Sequence, residues 1–313
     1  KVNNYKPNIE VSTREAYGKA LVSISLGDEK SVVLDAEVSN STYSDLVEKN
    51  KGKFIQTYIS EQNMISIALG LSVKGFKPMT STFASFLTRA HDQIRMADIS
   101  SGNISICGSH SGVSIGEDGV SQMGLEDIAM MRSLPNSIVL YPSDAVSCEK
   151  LTKFSHRNKG ITYIRTTRSK TPILYNNNEN FPIGDFKVLF SSKKDKATII
   201  ASGITVHEAI KTYYELKNKN INIAVIDLYS IKPINKQKLN FFIKSHGKKI
   251  ILVEDHYPEG GIGEAVLSTI KNSNIKLNHL AVKEIPHSGT KEQLLKKYKI
   301  NSDAITEAVK KIL

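Results

Sequence analysis

Four stretches of the 313-residue chain bring together residue types that can do chemistry. The loop Gly108–Gln122, GSHSGVSIGEDGVSQ, follows a strand-like run and gathers His110, Glu117, Asp118 and Gln122 among glycines. A connecting loop seldom needs so many ionisable and amide groups, so a ligand site is favoured there. The segment Ile164–Arg168, IRTTR, ends another strand-like run with Arg165 and Arg168, and guanidinium forks suit a bidentate anion clamp. Glu61 stands where IQTYI gives way to the apolar helical pattern EQNMISIALGLSVK. A glutamate in a first helical turn favours the helix dipole, and alone that bland role is the default. The functional alternative is a carboxyl at the carboxyl end of a strand, where open α/β sheets bind ligands. With Ile59, Met64 and Ile65 around it, its pKa would rise and it would hold or share a proton. Lastly, TSTFASFLTRAHDQIR (Thr80–Arg95) sets Phe83 and Phe86 three apart on one side of an expected helix, a pattern more often core than platform.

The elements that must carry these groups follow from periodicity. Ser31–Glu37, Asn103–Ser109, Ser137–Ser143 and Gly160–Thr166 are short β-branched, near-continuous apolar runs, as parallel strands buried on both faces require. Helical patterns lie between them, EQNMISIALGLSVK and FASFLTRAHDQIRMADI, and this alternation predicts α/β layering. The polar YNNNENFPIGD, Tyr175–Asp185, marks a linker. Beyond it ATIIAS, INIAVIDL, KKIILVE and KLNHLAV alternate with helices, one started by Pro233 and Asn235 and a terminal one capped near Asn301 or Ser302. The expected architecture is two consecutive three-layer α/β domains with mostly parallel sheets: 1–174, a linker 175–190, and 191–313.

Composition narrows the function classes less. A hydrophobic content of 40% and a charged content of 23% are ordinary for a globular protein. Lys and Asn are scattered over faces that look solvated, so the net charge of +11 reads as compositional bias and no nucleic-acid partner is expected. No apolar run approaches the roughly 20 residues of a membrane span, and no membrane partner is expected. Cys107 and Cys148 show no CxxC spacing, which fits a reducing compartment and offers no metal cage. The chain begins with Lys1, without an initiator Met, so its gene is expected to start elsewhere.

Taken in order, TREAYGKAL, LDAEVSNST, EQNMISIALG, STFASF, GSHSGVSIGEDGVSQ, YPSD, IRTTR and VEDHYPEGGIGEAV resemble the second half of transketolase, over nearly the whole chain from Thr13. The loop at 108–122 is similar to transketolases of the animal type rather than to relatives that make deoxyxylulose phosphate or decarboxylate 2-oxo acids. The resemblance implies a pyrimidine-binding domain followed by a transketolase C-terminal domain. It also implies transfer of a two-carbon glycolaldehyde unit from a ketose phosphate to an aldose phosphate, with thiamine diphosphate as cofactor. Residue by residue, Glu61 matches the glutamate that hydrogen-bonds the aminopyrimidine nitrogen, a tuned carboxyl acting in acid–base work. Phe86 matches the aromatic stacked on that ring, with Phe83 lining the same pocket. His110 and Asp118 match donor-sugar contacts, and Gln122 a polar position near cofactor and sugar where some transketolases carry His. Arg14, Ser41 and Arg168 match the sugar-phosphate site, whereas Arg165 is read as a structural ion-pair residue.

Two motifs are set aside. GEDG (Gly116–Gly119) looks like the family's metal-binding Gly-Asp-Gly but belongs to the sugar loop, so no metal ligand is assigned in this chain. GGIGEAV (Gly260–Val266) looks like a dinucleotide fingerprint but has Val266 at the third glycine position, so it is read as strand-to-helix packing, with Glu254 and His256 as interface groups. Nothing resembles the domain that holds the diphosphate and its metal. The chain is therefore expected to be a split subunit or a truncated form, with Mg²⁺ or Ca²⁺ bound by an N-terminal transketolase subunit. The implied assembly is a homodimer core within a heterotetramer, acting in the cytoplasm in the pentose phosphate pathway. The competing readings are a non-catalytic assembly or regulatory homologue and an enzyme for a sulfo- or branched sugar.

Overall fold

Val- and Ile-rich runs form the strands of two sheets in the computed structural model, which describes residues 3–7, 9–270 and 274–313. In chain order the strands are Ser31–Asp35 (β1), Phe54–Gln56 (β2), Lys77–Phe83 (β3), Ile104–Ser109 (β4), Ile138–Leu140 (β5) and Ile161–Arg165 (β6). They continue with Lys187–Phe190 (β7), Thr198–Ala201 (β8), Ala224–Asp227 (β9), Ser230–Lys232 (β10), Lys249–Val253 (β11) and Lys276–Leu280 (β12). A short antiparallel ribbon, Glu10–Ser12 with Lys170–Pro172, lies apart from both sheets. The first sheet runs β10-β5-β6-β4-β3-β1-β2 and the second β12-β11-β8-β9-β7. All pairings in the two sheets are parallel except β10 with β5 and β7 with β9. Two mostly parallel α/β sheets were the expected fold class, and they are what the chain forms.

The principal helices are Thr13–Ser25 (α1), Glu61–Val73 (α2), His91–Ile99 (α3), Ala145–Arg157 (α4), Ile204–Asn218 (α5), Lys236–Ser245 (α6) and Ser302–Ile312 (α7). Asn235 caps α6 by accepting from the Lys238 N–H, and Asn301 caps α7 by accepting from Ala304, which satisfies donors a helix start leaves unpaired.

Three details differ from the expectation. The stretch after Thr80 is not one helix: Phe83 ends β3, a 3₁₀ turn spans Phe86–Ala90, and α3 begins only at His91. β3 is paired on both sides, Thr80 with Leu34 and Phe83 with Ser109, and a complete ladder outweighs a helical spacing of two phenylalanines. The linker is shorter than 175–190, because β7 already belongs to the second sheet. In addition, β10 lies in the second half of the sequence yet completes the first sheet beside β5. One continuous apolar core accordingly joins the two domains, packing Ile106, Met131 and Val139 with Ile200, Ile226 and Leu252.

Candidate functional site

The carboxyl ends of β1, β3, β4 and β6 open on one edge of the first sheet, where strand ends release the chain into loops and ligands bind in such folds. At this edge the side chains form a connected line. Arg168, just beyond β6, donates from Nη1 to Asp118 Oδ1 at 2.6 Å. Asp118 Oδ2 is 3.9 Å from His110 Nε2, and the His110 ring stacks on Phe83 with centroids 3.8 Å apart. Phe83 in turn stacks on Phe86 at 5.2 Å, the guanidinium of Arg89 lies 4.7 Å above the Phe86 ring, and its Nη1 donates to Glu61 Oε1 at 2.7 Å. Thus Glu61, Phe86, Phe83, His110, Asp118 and Arg168 are brought together.

His110 follows β4 with φ at +56°, a left-handed conformation that a non-glycine residue adopts at a cost and that concentrates at functional sites. Its ring is buried, with Nδ1 3.1 Å from Ser109 Oγ. Burial, helped by the charges of Arg14 and Arg168, pushes its pKa down to about 3, so the imidazole is neutral at physiological pH. A neutral ring has one donor and one acceptor nitrogen to offer.

Arg14, in the first turn of α1, donates to the Ser41 carbonyl at 2.9 Å and lies over the Tyr43 ring at 5.4 Å. The turn carrying Ser41 is held from below by Asp35, at the end of β1. Its buried carboxylate accepts from the Val38 N–H and from the hydroxyls of Thr42 and Ser44, while burial raises its pKa to about 6. The charges of Arg14, Arg168 and Asp118 are close enough to act on one another. Gln122 closes a 3₁₀ turn, Val120–Gln122, on the far side of the same loop and is half-buried.

Glu61 opens α2 and is almost fully buried, with Met64 and Ile65 in the core beside it. Ile59 is the exception to the expected apolar surround: it is 74% exposed, as its neighbour Tyr58 is 67% exposed. Arg89 is a site residue that the sequence pattern conceals. Its place, three residues after Phe86, was the available signal, obscured because that segment read as part of one helix.

Arg165 is the structural residue the sequence indicated. Fully buried, it donates from Nε and Nη2 to Asp127 at 2.7 and 3.1 Å, and from Nη2 to the carbonyls of Gly124 and Asp255. Burial alone would raise the Asp127 pKa, but the Arg165 charge overrides it and holds the carboxyl below the usual range. The glycine-rich run at 260–266 is likewise structural. Glu254 accepts from the N–H groups of Ile262 and Gly263 and contacts His279 at 2.6 Å, so the chain's own carboxylate fills the place a dinucleotide phosphate would need. His256 is fully buried against Asp127, at the domain junction. Among the described residues no group of three or more His, Cys, Asp or Glu side chains is arranged to hold a metal ion.

Two family models match the chain: the transketolase pyrimidine binding domain over residues 9–173 and the transketolase C-terminal domain over residues 186–305. Human transketolase is 47% identical over 313 residues, covering 99% of this chain and 50% of that protein. Bovine transketolase-like protein 1 is 46% identical, with coverages of 99% and 52%, so the chain spans about half the length of the curated relatives it matches. Among solved structures, one described as a split gene transketolase, inactive beta4 tetramer, superposes with a TM-score of 0.86 at 34% identity, covering 97% of this chain and 98% of that one. Transketolase from Campylobacter jejuni shares the fold, with a TM-score of 0.87 at 19% identity over 48% of its length.

Proposed function

The chain belongs to the transketolase family, and from that premise we propose that it supplies the aminopyrimidine-binding and sugar-binding half of a glycolaldehyde transferase. The observation that carries this reading is the unbroken line from Glu61 through Arg89, Phe86, Phe83 and His110 to Asp118 and Arg168.

The residues at one end of that line suit the cofactor's aminopyrimidine. A guanidinium is a flat group with N–H donors at its edge, and that of Arg89 lies over Phe86 while donating to Glu61. A flat aminopyrimidine needs the same two partners, a ring face and a buried carboxyl. Bound thiamine diphosphate would supply a nucleophilic thiazolium carbon that accepts the two-carbon unit. The task of Glu61 is then to hydrogen-bond the pyrimidine nitrogen, for which the Arg89 guanidinium has to give up its place on the Glu61 carboxyl. Phe86 presents the ring face and Phe83 backs it. Neutral His110 and Asp118 read the donor hydroxyls, with Gln122 between sugar and cofactor. Arg14, Ser41 and Arg168 take the phosphate of a sugar phosphate, a dianion that two guanidinium forks match.

The matched domains are those of the pyrimidine and C-terminal parts, and the chain spans half of its relatives' length. We therefore assign the diphosphate and its Mg²⁺ (or Ca²⁺) to an N-terminal transketolase subunit or segment. A homodimer of this chain would form the core of a heterotetramer with two sites across interfaces. The similar split gene protein, a tetramer called inactive, supports this reading. Exposed Tyr58 and Ile59 beside Glu61 offer apolar surface for such an interface. Buried, unpaired Cys107 and Cys148 fit a reducing compartment, and the cytoplasm is part of the same reading.

The test is to titrate thiamine diphosphate and Mg²⁺ into the purified chain, then add a chain bearing the diphosphate-binding domain and assay transfer between a ketose phosphate and an aldose phosphate. Weak cofactor binding and no transfer by the lone chain, with both gained in the pair, is the expected result. Full activity from the lone chain, or none from the pair, overturns the reading.

A further inference from the structure

The C-terminal domain contributes no residue to the line of side chains at the cleft, yet it holds the loop that carries three of the proposed sugar and cofactor contacts. Asp255, fully buried just after β11, accepts hydrogen bonds from the N–H groups of Val113 and Ser114, at 2.7 and 3.2 Å. These are the residues at which the loop leaves His110 and Gly112. At the exit of the loop the Tyr257 N–H donates to the Leu125 carbonyl. Arg165 ties the two ends together, donating to the carbonyls of both Gly124 and Asp255. The neck is closed by Gly112 N–H to Gly124 O at 2.7 Å and Gly124 N–H to His110 O at 3.2 Å.

The apolar side chains of the loop point the same way. Val113, Ile115, Met123 and Leu125 are buried in the core of the C-terminal domain with Val206, Val253 and Leu294. Asp118 stays on the cleft side of the loop, where it pairs with Arg168. Gly112 shows how close the contact is. Its φ is +78°, and a Cβ there would stand 2.1 Å from Asp255 Oδ2.

We propose that Asp255 is a positioning residue for the sugar-binding loop, and that setting this loop is the task of the C-terminal domain in the reaction. This inference rests on the sugar-contacting reading of His110 and Asp118. By capping the first turn of the loop, Asp255 fixes where His110 and Asp118 stand, while the pyrimidine end at Glu61 and Phe86 is built wholly from the other domain.

The experiment uses three variants of the full chain, studied by hydrogen–deuterium exchange and, in the pair with a diphosphate-binding chain, by kinetics. Asp255→Asn keeps the shape but weakens the cap. Exchange at the Val113 and Ser114 amides should quicken about tenfold or more, and the KM for the ketose phosphate should rise about tenfold, with cofactor half-saturation within about twofold of the parent. Gly112→Ala attacks the same contact from the loop side and should give the same pattern, and the double variant should be little worse than either single one. Val309→Ala, which hollows the same core from α7, a helix packed on α5, β11 and β12, should lower the melting temperature without moving KM. Faster exchange in Asp255→Asn with KM unchanged, unaltered exchange, or an equal KM rise in Val309→Ala would each overturn the positioning role. A parent pair with no transfer activity would instead overturn the sugar-contacting reading, and this inference with it.

Discussion

At the sugar end of the cleft the supporting groups are sealed in: the Arg165–Asp127 ion pair is fully buried and the neutral His110 is 3% exposed. At the pyrimidine end the corresponding cation, Arg89, has its side chain 52% exposed, and Tyr58 and Ile59 stand in solvent. The first end is fixed by a network within the chain, whereas the second ends in a half-exposed arginine and uncovered apolar side chains. On the proposed reading, the difference means that sugar recognition is pre-set within this chain, whereas cofactor recognition waits for something to cover the open end.

Breaking the pyrimidine end should have the largest effect. Glu61→Gln in the reconstituted pair should cost about 10²–10⁴ in turnover, the usual scale for an acid–base group, with assembly retained. Loss of no more than about twofold would remove Glu61 from the mechanism. At the sugar end, Arg168→Ala should raise the KM for phosphorylated sugars about 10–100-fold, because a charge-assisted hydrogen bond is worth roughly 1.5–3 kcal/mol. Hydroxypyruvate, which lacks a phosphate, should be affected much less, and an equal loss for both would sink the phosphate assignment.

Arg89→Met sharpens the comparison in the opposite direction. Freeing Glu61 and the Phe86 ring should lower the cofactor concentration for half-saturation, by no more than about tenfold since the guanidinium is half in water. Weaker cofactor binding in that variant, measured by titration calorimetry, would mean that Arg89 belongs to the bound state. The smallest effect concerns acid stability. A histidine held neutral to about pH 3 binds its proton more readily in the unfolded chain, so folding stability is present above the unfolded pKa of about 6.5 and is lost as pH falls toward 3. His110→Gln should therefore move the acid-unfolding midpoint down by roughly half a pH unit, read by circular dichroism, and a shift upward would contradict the burial argument.

Much of this was legible in the residues, for identifiable reasons. Buried parallel strands need continuous Val and Ile, so the runs at 31–37, 103–109 and 160–166 announced β1, β4 and β6. The loop at 108–122 stood out because polar groups at that density are hard to explain as packing. Phe83 was misplaced because an i, i+3 aromatic pair fits a helix and equally a strand end followed by a turn; ladder pairing from distant residues decided it. Arg89 and Asp255 were invisible as site residues because their importance lies in what faces them, Glu61 in one case and the Val113 and Ser114 amides in the other. Asp35 was hidden in the same way within an apolar run.

The position of β10 has a consequence for how the chain comes off the ribosome. Until residues 230–232 emerge, β5 lacks the neighbour that covers its outer edge, so once β6 is complete at Arg165 the first sheet ends in an unpaired strand until Ser230 is made. Exposed strand edges are templates for wrong pairing. Lys232 then secures the junction, donating to the carbonyls of Arg132 and Leu134 and to the Ser137 hydroxyl. A nascent chain halted at the linker would thus lack β10 and leave the outer edge of β5 uncovered.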